Sequence, residues 1–309
     1  MPLDLKPHIE VFVWHLEKER RLSPHTVNAY RRDLRLLTNF CEQTSLGIES
    51  LDSYAVRQFA AECHRRGSSP RSIARRLSAI RGFLAFMVRK GIIKSNPASD
   101  VQAPKPSRRL PATLDADQVA SLLALAGEDD LTVRDRAMLE LFYSSGLRLA
   151  ELVGVDLSDL DFPDRTVRVT GKGNKVRIVP VGRYALEALE TWIVVRVTIA
   201  KPQEVALFVS RRGTRLAPRT VQSRLKRWAQ QQGAPAGVHP HMLRHSFASH
   251  ILESSGNLRA VQELLGHASI STTQVYTHLD FQHLAQIYDE AHPRAQRRDD
   301  EGTAEDHQD

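Results

Sequence analysis

A proline-rich segment at residues 97–111 is the feature that most constrains how this chain can fold. The segment reads PASDVQAPKPSRRLP and contains four prolines, two adjacent arginines and no apolar periodicity. Proline fixes φ and lacks a backbone donor, so the segment continues neither a helix nor a central strand. We therefore expect an extended linker between a first domain at 1–96 and a second at 112–293. Residues 294–309 are polar and acidic, and we expect them to be disordered.

The first domain carries helical signals and no strand signal. Ser23 and Ser69 each stand directly before a proline, which is the arrangement of a capping residue followed by the first residue of a helix. The helix that follows Ser69 is expected to stop at Gly91. With further amphipathic helices at the start of the chain and at 51–63, we predict about four helices. The apolar residues of the Ser69 helix recur at spacings of three and four and form one inward stripe: Ile73, Leu77, Ile80, Leu84 and Met87.

The second domain is expected to combine helices with a small antiparallel sheet. Residues 166–170 and 176–180 alternate as strands do, and the GKGNK sequence between them is typical of a hairpin turn. A further short strand is expected at 207–209. The fold class is therefore mainly α with a small antiparallel β-sheet. Helices are expected at 115–126, 132–144, 182–200, 218–231, 240–254, 258–265, 271–277 and 280–289.

The positive charge of the chain is concentrated in its first third. Residues 1–107 contain 18 Lys and Arg against 10 Asp and Glu, and the whole chain has a formal net charge of +7. A basic surface of this kind can follow a phosphate backbone. A solvated charged surface explains the same excess equally well, so charge alone does not decide between the two.

Composition also bears on the cellular compartment. Cys41 and Cys63 are the only cysteines, and a reduced protein is favoured over one with a single disulfide. The chain has no run of about 18 apolar residues, and its start is acidic where a signal peptide would need a basic and then an apolar stretch. We expect a cytoplasmic protein without membrane insertion.

The sequence SSGLRLAEL places an arginine near the start of a helix. Gly146 is expected to end one helix and Leu147 to begin the next, which puts Arg148 in a first turn. Free backbone N–H groups attract an anion there, and a cation is unfavourable unless an anion is also present. The alternative is a simple ion pair between Arg148 and Glu151, three residues further on.

The sequence HPHMLRHSF places a second arginine in a similar setting. Pro240 is favoured at a helix start, so His241 falls in the first turn and Arg244 projects from the same face. An imidazole and a guanidinium together at a helix start are typical of a phosphate site. Four histidines lie within 239–250, but without a zinc-binding motif or a cysteine pair a metal site is disfavoured.

A third cluster lies in the sequence LLGHASISTTQVYTH. Gly266 is expected to end a helix and to place His267 in a turn. Ser271 and Gln274 form a capping box for a short helix that carries Tyr276. A tyrosine in that position is more often a packing residue, so Tyr276 alone indicates little.

Together with a lysine at the hairpin tip, these clusters meet the needs of one reaction. A phosphodiester under attack by an oxygen gains negative charge, which guanidinium groups neutralise. A tyrosine with a pKa of about 10 needs a cationic site or a base to become a nucleophile. The leaving oxygen needs an acid, which Lys172 or a histidine can supply. The sequence contains neither a Walker motif nor a carboxylate cluster for two magnesium ions.

Over roughly residues 5–293 the chain resembles the tyrosine recombinases, the λ-integrase family. The resemblance lies in the segments SSGLRLAELVGV, VTGKGNKVRIVPVG, HPHMLRHSFASHILESSGNLRAVQELLGHASISTTQVYTHLDFQHL and AHPRA. It implies a C-shaped clamp around duplex DNA, made by a helical core-binding (SAM-like) domain and a recombinase catalytic domain. It also implies that Arg148 and Arg244 bind the scissile phosphate and that His267 donates a hydrogen bond to it.

The resemblance assigns the proton and bond chemistry to three further residues. Tyr276 forms a 3′-phosphotyrosyl link with the DNA. Lys172 protonates the leaving 5′ oxygen, and His241 assists proton transfer to and from the tyrosine. Because the covalent link conserves the energy of the DNA bond, no metal, nucleotide or other cofactor is implied.

Within the family, the match is best to the recombinases that resolve chromosome dimers before cell division. This implies a dif-type DNA site, a XerD-like recombinase in a heterotetramer of two plus two, and the DNA translocase FtsK as partners. A phage or integron integrase is the alternative with the same chemistry, although no extra arm-binding domain is evident. A catalytically idle architectural DNA-binding protein is the alternative from another class, and the complete set of six residues argues against it.

Overall fold

The computed structural model of the chain divides into two compact units, Met1–Arg109 and Leu110–Asp309, and each is described by itself. The residues that the structure describes are 4–105, 113–171, 174–235, 237–255 and 261.

The described part of the first unit contains four α-helices and no strand, as predicted. Both serine caps are confirmed, since Ser23 Oγ accepts a hydrogen bond from the Thr26 N–H and Ser69 Oγ accepts one from the Ser72 N–H, each at 3.3 Å. A π-helical turn, His15–Glu19, extends the first helix. The helices are α1 (Leu5–Trp14), α2 (Pro24–Gln43), α3 (Ser53–Arg65) and α4 (Pro70–Arg89).

The core of this unit forms around α4. All five residues of the predicted apolar stripe are at most 1% exposed, which is the burial that an amphipathic helix at the centre of a small bundle requires. One charged residue, Asp33 of α2, is also buried and pairs with Arg75 and Arg76 of α4. Apolar packing and this ion pair together join α2 to α4.

The structure differs from the expected extended linker at residues 97–101. Ala98 and Val101 are buried against the core of the first unit. Arg81 of α4 donates hydrogen bonds to the carbonyl oxygens of both residues, at 3.0 and 2.8 Å. Because side-chain donors satisfy these carbonyls and apolar side chains cover the core, this stretch packs as a turn despite its proline, Pro97.

In the residues that the structure describes, the second unit consists of helices around one three-stranded antiparallel sheet of order β1-β2-β3. The predicted hairpin is confirmed, with Val167 opposite Val179 and Val169 opposite Arg177. The two-residue strand β1, which pairs with β2, was not predicted from the sequence. The elements are α5 (Ala116–Leu123), α6 (Asp130–Ser144), α7 (Leu149–Gly154), β1 (Leu160–Asp161), β2 (Thr166–Thr170), β3 (Val176–Pro180), α8 (Arg183–Ile199), α9 (Pro218–Gln231) and α10 (Pro240–Ser255).

The strand predicted at 207–209 is wrong, because Val209 forms only an isolated bridge with Arg215, and a second isolated bridge joins the preceding Ala206 to Asp156. Side chains of α8 bond the carbonyl groups at the start of this segment: Trp192 Nε1 donates to Leu207 O and Arg196 Nε donates to Ala206 O, both at 2.9 Å. The helices predicted at 258–265, 271–277 and 280–289, and the tail 294–309, lie outside the described residues apart from the buried Val261.

A buried ionic network joins α6 to α9. Asp135 is fully buried and accepts hydrogen bonds from Arg134 Nη2 at 2.7 Å, from Trp228 Nε1 at 2.8 Å and from Arg224. A buried carboxylate of this kind is retained only where several donors satisfy it.

None of the helices in the described part of the chain is long and apolar enough to span a membrane.

We predict that Asp135→Ala lowers the free energy of unfolding by about 3–5 kcal/mol, because it leaves the buried charge of Arg134 without its partner. Urea denaturation followed by circular dichroism measures this change. The control is Glu187→Ala, which removes an exposed ion pair with Arg183 whose charged atoms are 4.0 Å apart and should cost less than about 1 kcal/mol. Equal losses in the two variants would contradict the prediction.

Candidate active site

Arg148 lies at the junction of α6 and α7. Gly146 adopts φ +52°, a conformation that glycine reaches without strain, and ends α6. Arg148 is the N-cap of α7 and not a first-turn residue, which corrects the sequence expectation by one position. The reason is a capping box, in which the Glu151 carboxylate accepts the Arg148 backbone N–H at 2.8 Å.

Glu151 is a buried carboxylate that receives hydrogen bonds from two arginine side chains. Arg148 Nη1 donates to Oε1 at 2.8 Å. Arg177 of β3 donates from Nη1 to Oε1 at 2.7 Å and from Nη2 to Oε2 at 2.9 Å. Burial by itself raises the pKa of Glu151, but the hydrogen bonds from Arg177 and Arg148 outweigh it and lower the pKa to about 2. Glu151 is therefore negatively charged at neutral pH.

Arg244 reaches the same carboxylate from α10. Its guanidinium is buried, donates to the carbonyl oxygen of Gly146 and lies 3.8 Å from Glu151 Oε2. Burial and the neighbouring Arg148 lower the pKa of Arg244 to about 10. At neutral pH the side chain still carries its charge, so two arginines 96 positions apart in sequence converge on one carboxylate.

The ion pair of Arg148 with Glu151, treated above as an alternative, is present in the structure. It does not compete with an anion-binding role, because Arg177 and Arg244 share the same carboxylate. Three guanidinium groups against one carboxylate leave a net charge of +2 among these four residues. Such a cluster can bind a phosphate through directed N–H donors.

His241 lies in the first turn of α10, three residues before Arg244, and its side chain is exposed. The helix begins at Pro240 as predicted. Next to it, His239 accepts the backbone N–H of Met242 on Nδ1 at 3.1 Å, and the rings of the two histidines are 6.4 Å apart. One end of α10 therefore presents an imidazole and a guanidinium together.

The hairpin of β2 and β3 ends next to Glu151. The Gly171 N–H donates to Lys175 O at 2.8 Å and closes the hairpin. A Cβ atom at Gly171 would lie 3.3 Å from Glu151 Oε1, so this glycine allows a close approach of backbone to carboxylate. Lys172, His267 and Tyr276 lie outside the described residues. Of the six predicted site residues, the described part of the chain brings Arg148 and Arg244 together at Glu151 and places His241 on the helix of Arg244.

Sequence reasoning missed Arg177, although a signal for it was present. Period-two alternation along β3 puts Arg177 on the same face as the buried Val179, while Val176 and Ile178 are exposed. An arginine on the inward face of a strand indicates a buried acidic partner. The partner itself, Glu151, cannot be identified from strand periodicity.

The far end of α7 is also fixed by an arginine. Arg215 Nη1 donates to Val153 O at 3.0 Å, and the same side chain pairs with Asp156. The last carbonyl groups of a helix need such donors. With Glu151 at its start and Arg215 at its end, α7 holds Arg148 in a defined position.

The described residues contain no group of three or more His, Cys, Asp or Glu side chains arranged to hold a metal ion.

Two family descriptions match the chain. "Phage integrase, N-terminal SAM-like domain" matches residues 9–91, and "Phage integrase family" matches residues 112–283.

Proteins with more than half of their residues identical extend this match over nearly the whole chain. Tyrosine recombinase XerC of Pseudomonas syringae pv. syringae strain B728a is 54% identical over 301 residues, covering 97% of this chain and 99% of that protein. Tyrosine recombinase XerC of Pseudomonas aeruginosa strain PAO1 is 53% identical over 296 residues, covering 95% of this chain and 97% of that protein.

Solved structures support the fold. XerH site-specific recombinase bound to palindromic difH substrate superposes with a TM-score of 0.69 at 21% identity, covering 87% of this chain and 81% of that one. A λ integrase (75–356) dimer bound to a COC′ core site superposes with a TM-score of 0.69 at 19% identity, covering 89% of this chain and 100% of that one.

The expected fold class and family resemblance are thereby confirmed. The match of both domains and the XerC relatives at more than 50% identity agree with the cationic site at α7, β3 and α10. The chain belongs to the phage integrase family of tyrosine recombinases, which cleave and rejoin DNA at specific sites through a tyrosine intermediate.

Proposed function

We propose that this chain resolves chromosome dimers at a dif-type site, as the XerC-type subunit of a cytoplasmic heterotetramer with two XerD-like subunits. Identity of more than 50% to XerC proteins over almost the full length supports this role over that of a phage or integron integrase. The translocase FtsK is the proposed activating partner. The proposed chemistry depends on one observation, the convergence of Arg148 and Arg244 on Glu151.

In the proposed reaction the two arginines bind the scissile phosphate. Their N–H groups donate to the non-bridging oxygens and neutralise the negative charge that grows there as the tyrosine attacks. Since arginine as a residue type keeps its positive charge at neutral pH, the two side chains serve cleavage and rejoining alike. His267 is proposed to donate a further hydrogen bond to the same phosphate.

The proton transfers are assigned to three other residues. The Tyr276 oxygen attacks phosphorus, and its proton passes to His241. The bond from phosphorus to the 5′ oxygen breaks, and Lys172 protonates that oxygen. A 5′ hydroxyl of the partner strand then attacks the phosphotyrosine, and the same proton transfers run in reverse. One phosphodiester is exchanged for another, so the reaction needs no nucleotide or metal.

The first domain, 1–96, is proposed to be the core-binding domain and 112–293 the catalytic domain, closing together around duplex DNA. The excess of 18 basic over 10 acidic residues within 1–107 supports a surface that contacts phosphates.

We predict that Tyr276→Phe abolishes covalent attachment to a nicked suicide duplex while leaving duplex binding intact. The variant lacks the attacking oxygen and keeps the phosphate-binding arginines. Attachment is measured by denaturing gel electrophoresis, and binding by mobility shift. The wild-type chain should attach, and attachment by the Phe variant would refute the assignment of the nucleophile.

The same assay in EDTA is the control for cofactor use. Attachment by the wild-type chain should be unchanged, and its loss would require a metal ion in the mechanism.

We predict that Lys172→Ala slows cleavage by about 100-fold or more, the usual contribution of a general acid. The rate should recover when the leaving 5′ oxygen is replaced by sulfur, because a thiolate leaves without protonation. Single-turnover cleavage of the two duplexes measures both effects. Equal slowing on both would assign the acid to another residue.

We predict that recombination between two dif-type sites requires a XerD-like protein from the same organism. Native mass spectrometry of the assembled DNA complex should show two copies of each chain. Tyr276→Phe paired with an active XerD-like subunit should exchange one pair of strands and accumulate a four-way junction. Complete recombination by this chain alone would favour the integrase alternative.

A further inference from the structure

Arg177 lies outside the six predicted site residues, yet its guanidinium group alone contacts both oxygens of the Glu151 carboxylate. Its two terminal nitrogens donate to the two carboxylate oxygens, at 2.7 and 2.9 Å. The side chain of Arg177 is 17% exposed and that of Glu151 is 2% exposed. A bidentate pair with so little solvent is among the stronger and more directional ion pairs in proteins.

The contact matters because Glu151 also pairs with Arg148 and lies 3.8 Å from Arg244. A carboxylate shared only by those two arginines would offset half of their positive charge and draw their donors away from a phosphate. Arg177 supplies a third positive charge on a different element, β3. Glu151 can then hold Arg148 and Arg244 in place while the cluster keeps a net charge of +2.

The side chain at this position must reach both carboxylate oxygens at once. A guanidinium presents two parallel N–H donors and does so, whereas the ammonium of a lysine is a single point charge. Gly171, on the other side of the hairpin turn, lies so near this carboxylate that an added Cβ atom would be 3.3 Å from Glu151 Oε1. The hairpin therefore approaches Glu151 from both sides of its turn.

We propose that Arg177 is a positioning residue for DNA cleavage, which holds and neutralises Glu151 so that Arg148 and Arg244 keep their charge and orientation for the scissile phosphate. This inference rests on the proposed roles of those two arginines.

The test measures single-turnover cleavage of the nicked suicide duplex by Arg177→Met, in the wild-type chain and in a Glu151→Gln background. Arg177→Met should cleave about 100-fold more slowly, the loss expected when catalytic groups are misplaced by about 1 Å. The cleavage rate of Arg177→Lys should fall between those of the wild-type chain and Arg177→Met. The dissociation constant for DNA should stay within about threefold, because duplex binding draws on many phosphate contacts.

In the Glu151→Gln background the charge that Arg177 offsets is gone. Arg177→Met should then cost less than about threefold, a large non-additivity for two residues in contact. An equal loss in both backgrounds would reduce Arg177 to a structural role and overturn the inference. An undetectable rate for Glu151→Gln alone would overturn it as well, since the inference requires the neutral amide to leave the two arginines functional.

Arg168→Met is the matched control, because Arg168 lies on the neighbouring strand β2 and makes an exposed ion pair with Asp159 at 2.8 Å. Its rate should stay within about twofold of wild type, as expected for an exposed pair. Thermal melting and circular dichroism of both variants check the fold. A 100-fold loss in the control would show that any arginine of the sheet is needed and would overturn the specific role.

The leaving-group comparison separates this inference from the proposed function. Arg177→Met should be slowed equally with oxygen and sulfur leaving groups, because its effect falls on the phosphate and not on the proton. Rescue by sulfur would place Arg177 with the general acid and overturn the inference. If Tyr276→Phe still attaches to DNA, the nucleophile assignment fails while the comparison of Arg177 variants remains valid.

Discussion

The buried carboxylate of Glu151 is the constraint on which the candidate active site of the second unit depends. It receives Arg148 from α7 and Arg177 from β3 and lies close to Arg244 from α10, so three elements distant in sequence are held at one point. Removing such charges from water costs several kcal/mol for each ion, and apolar packing of the same volume would stabilise the fold at least as well. A cluster with more arginines than acids is suited to bind an anion that is not part of the protein, as proposed above for the scissile phosphate.

The scaffold around the cluster limits how far its groups can move. Glu151 caps the start of α7 and Arg215 bonds the carbonyl groups at its end. The network at Asp135 joins α6, which precedes α7, to α9. A site that must stabilise a transition state needs its donors in place before the reaction begins, because reorienting them would consume the energy they supply. Arginines on helix ends and a hairpin that are held by a buried carboxylate meet this need better than exposed side chains on loops.

Local features of the fold could be predicted from the sequence, and tertiary ones could not. The serine caps, the apolar stripe of α4 and the β2–β3 hairpin depend on neighbouring residues, and the structure has them as expected. The strand expected at 207–209 failed because the Trp192 side chain of α8 takes the carbonyl group of Leu207. The linker starts later than 97 because Arg81 bonds the carbonyl groups of Ala98 and Val101. The convergence of Arg148 with Arg244 depends on how α10 packs against α6, the helix that leads into Arg148, and no local pattern encodes that packing. Resemblance to the family supplied the roles of Lys172, His267 and Tyr276.

A reaction that runs in both directions places a particular demand on this site. In cleavage the tyrosine oxygen attacks and the 5′ oxygen leaves, and in rejoining the two oxygens exchange roles. The groups that move protons must therefore change protonation state once in each half of the reaction. The groups that hold the phosphate must not, since both directions pass through the same negatively charged transition state and a lost charge would slow both. Arginine meets this condition because even Arg244, whose pKa burial and Arg148 lower to about 10, stays protonated at neutral pH. Lysine is less suited to the same buried position, because burial lowers its pKa from about 10.4 towards neutrality.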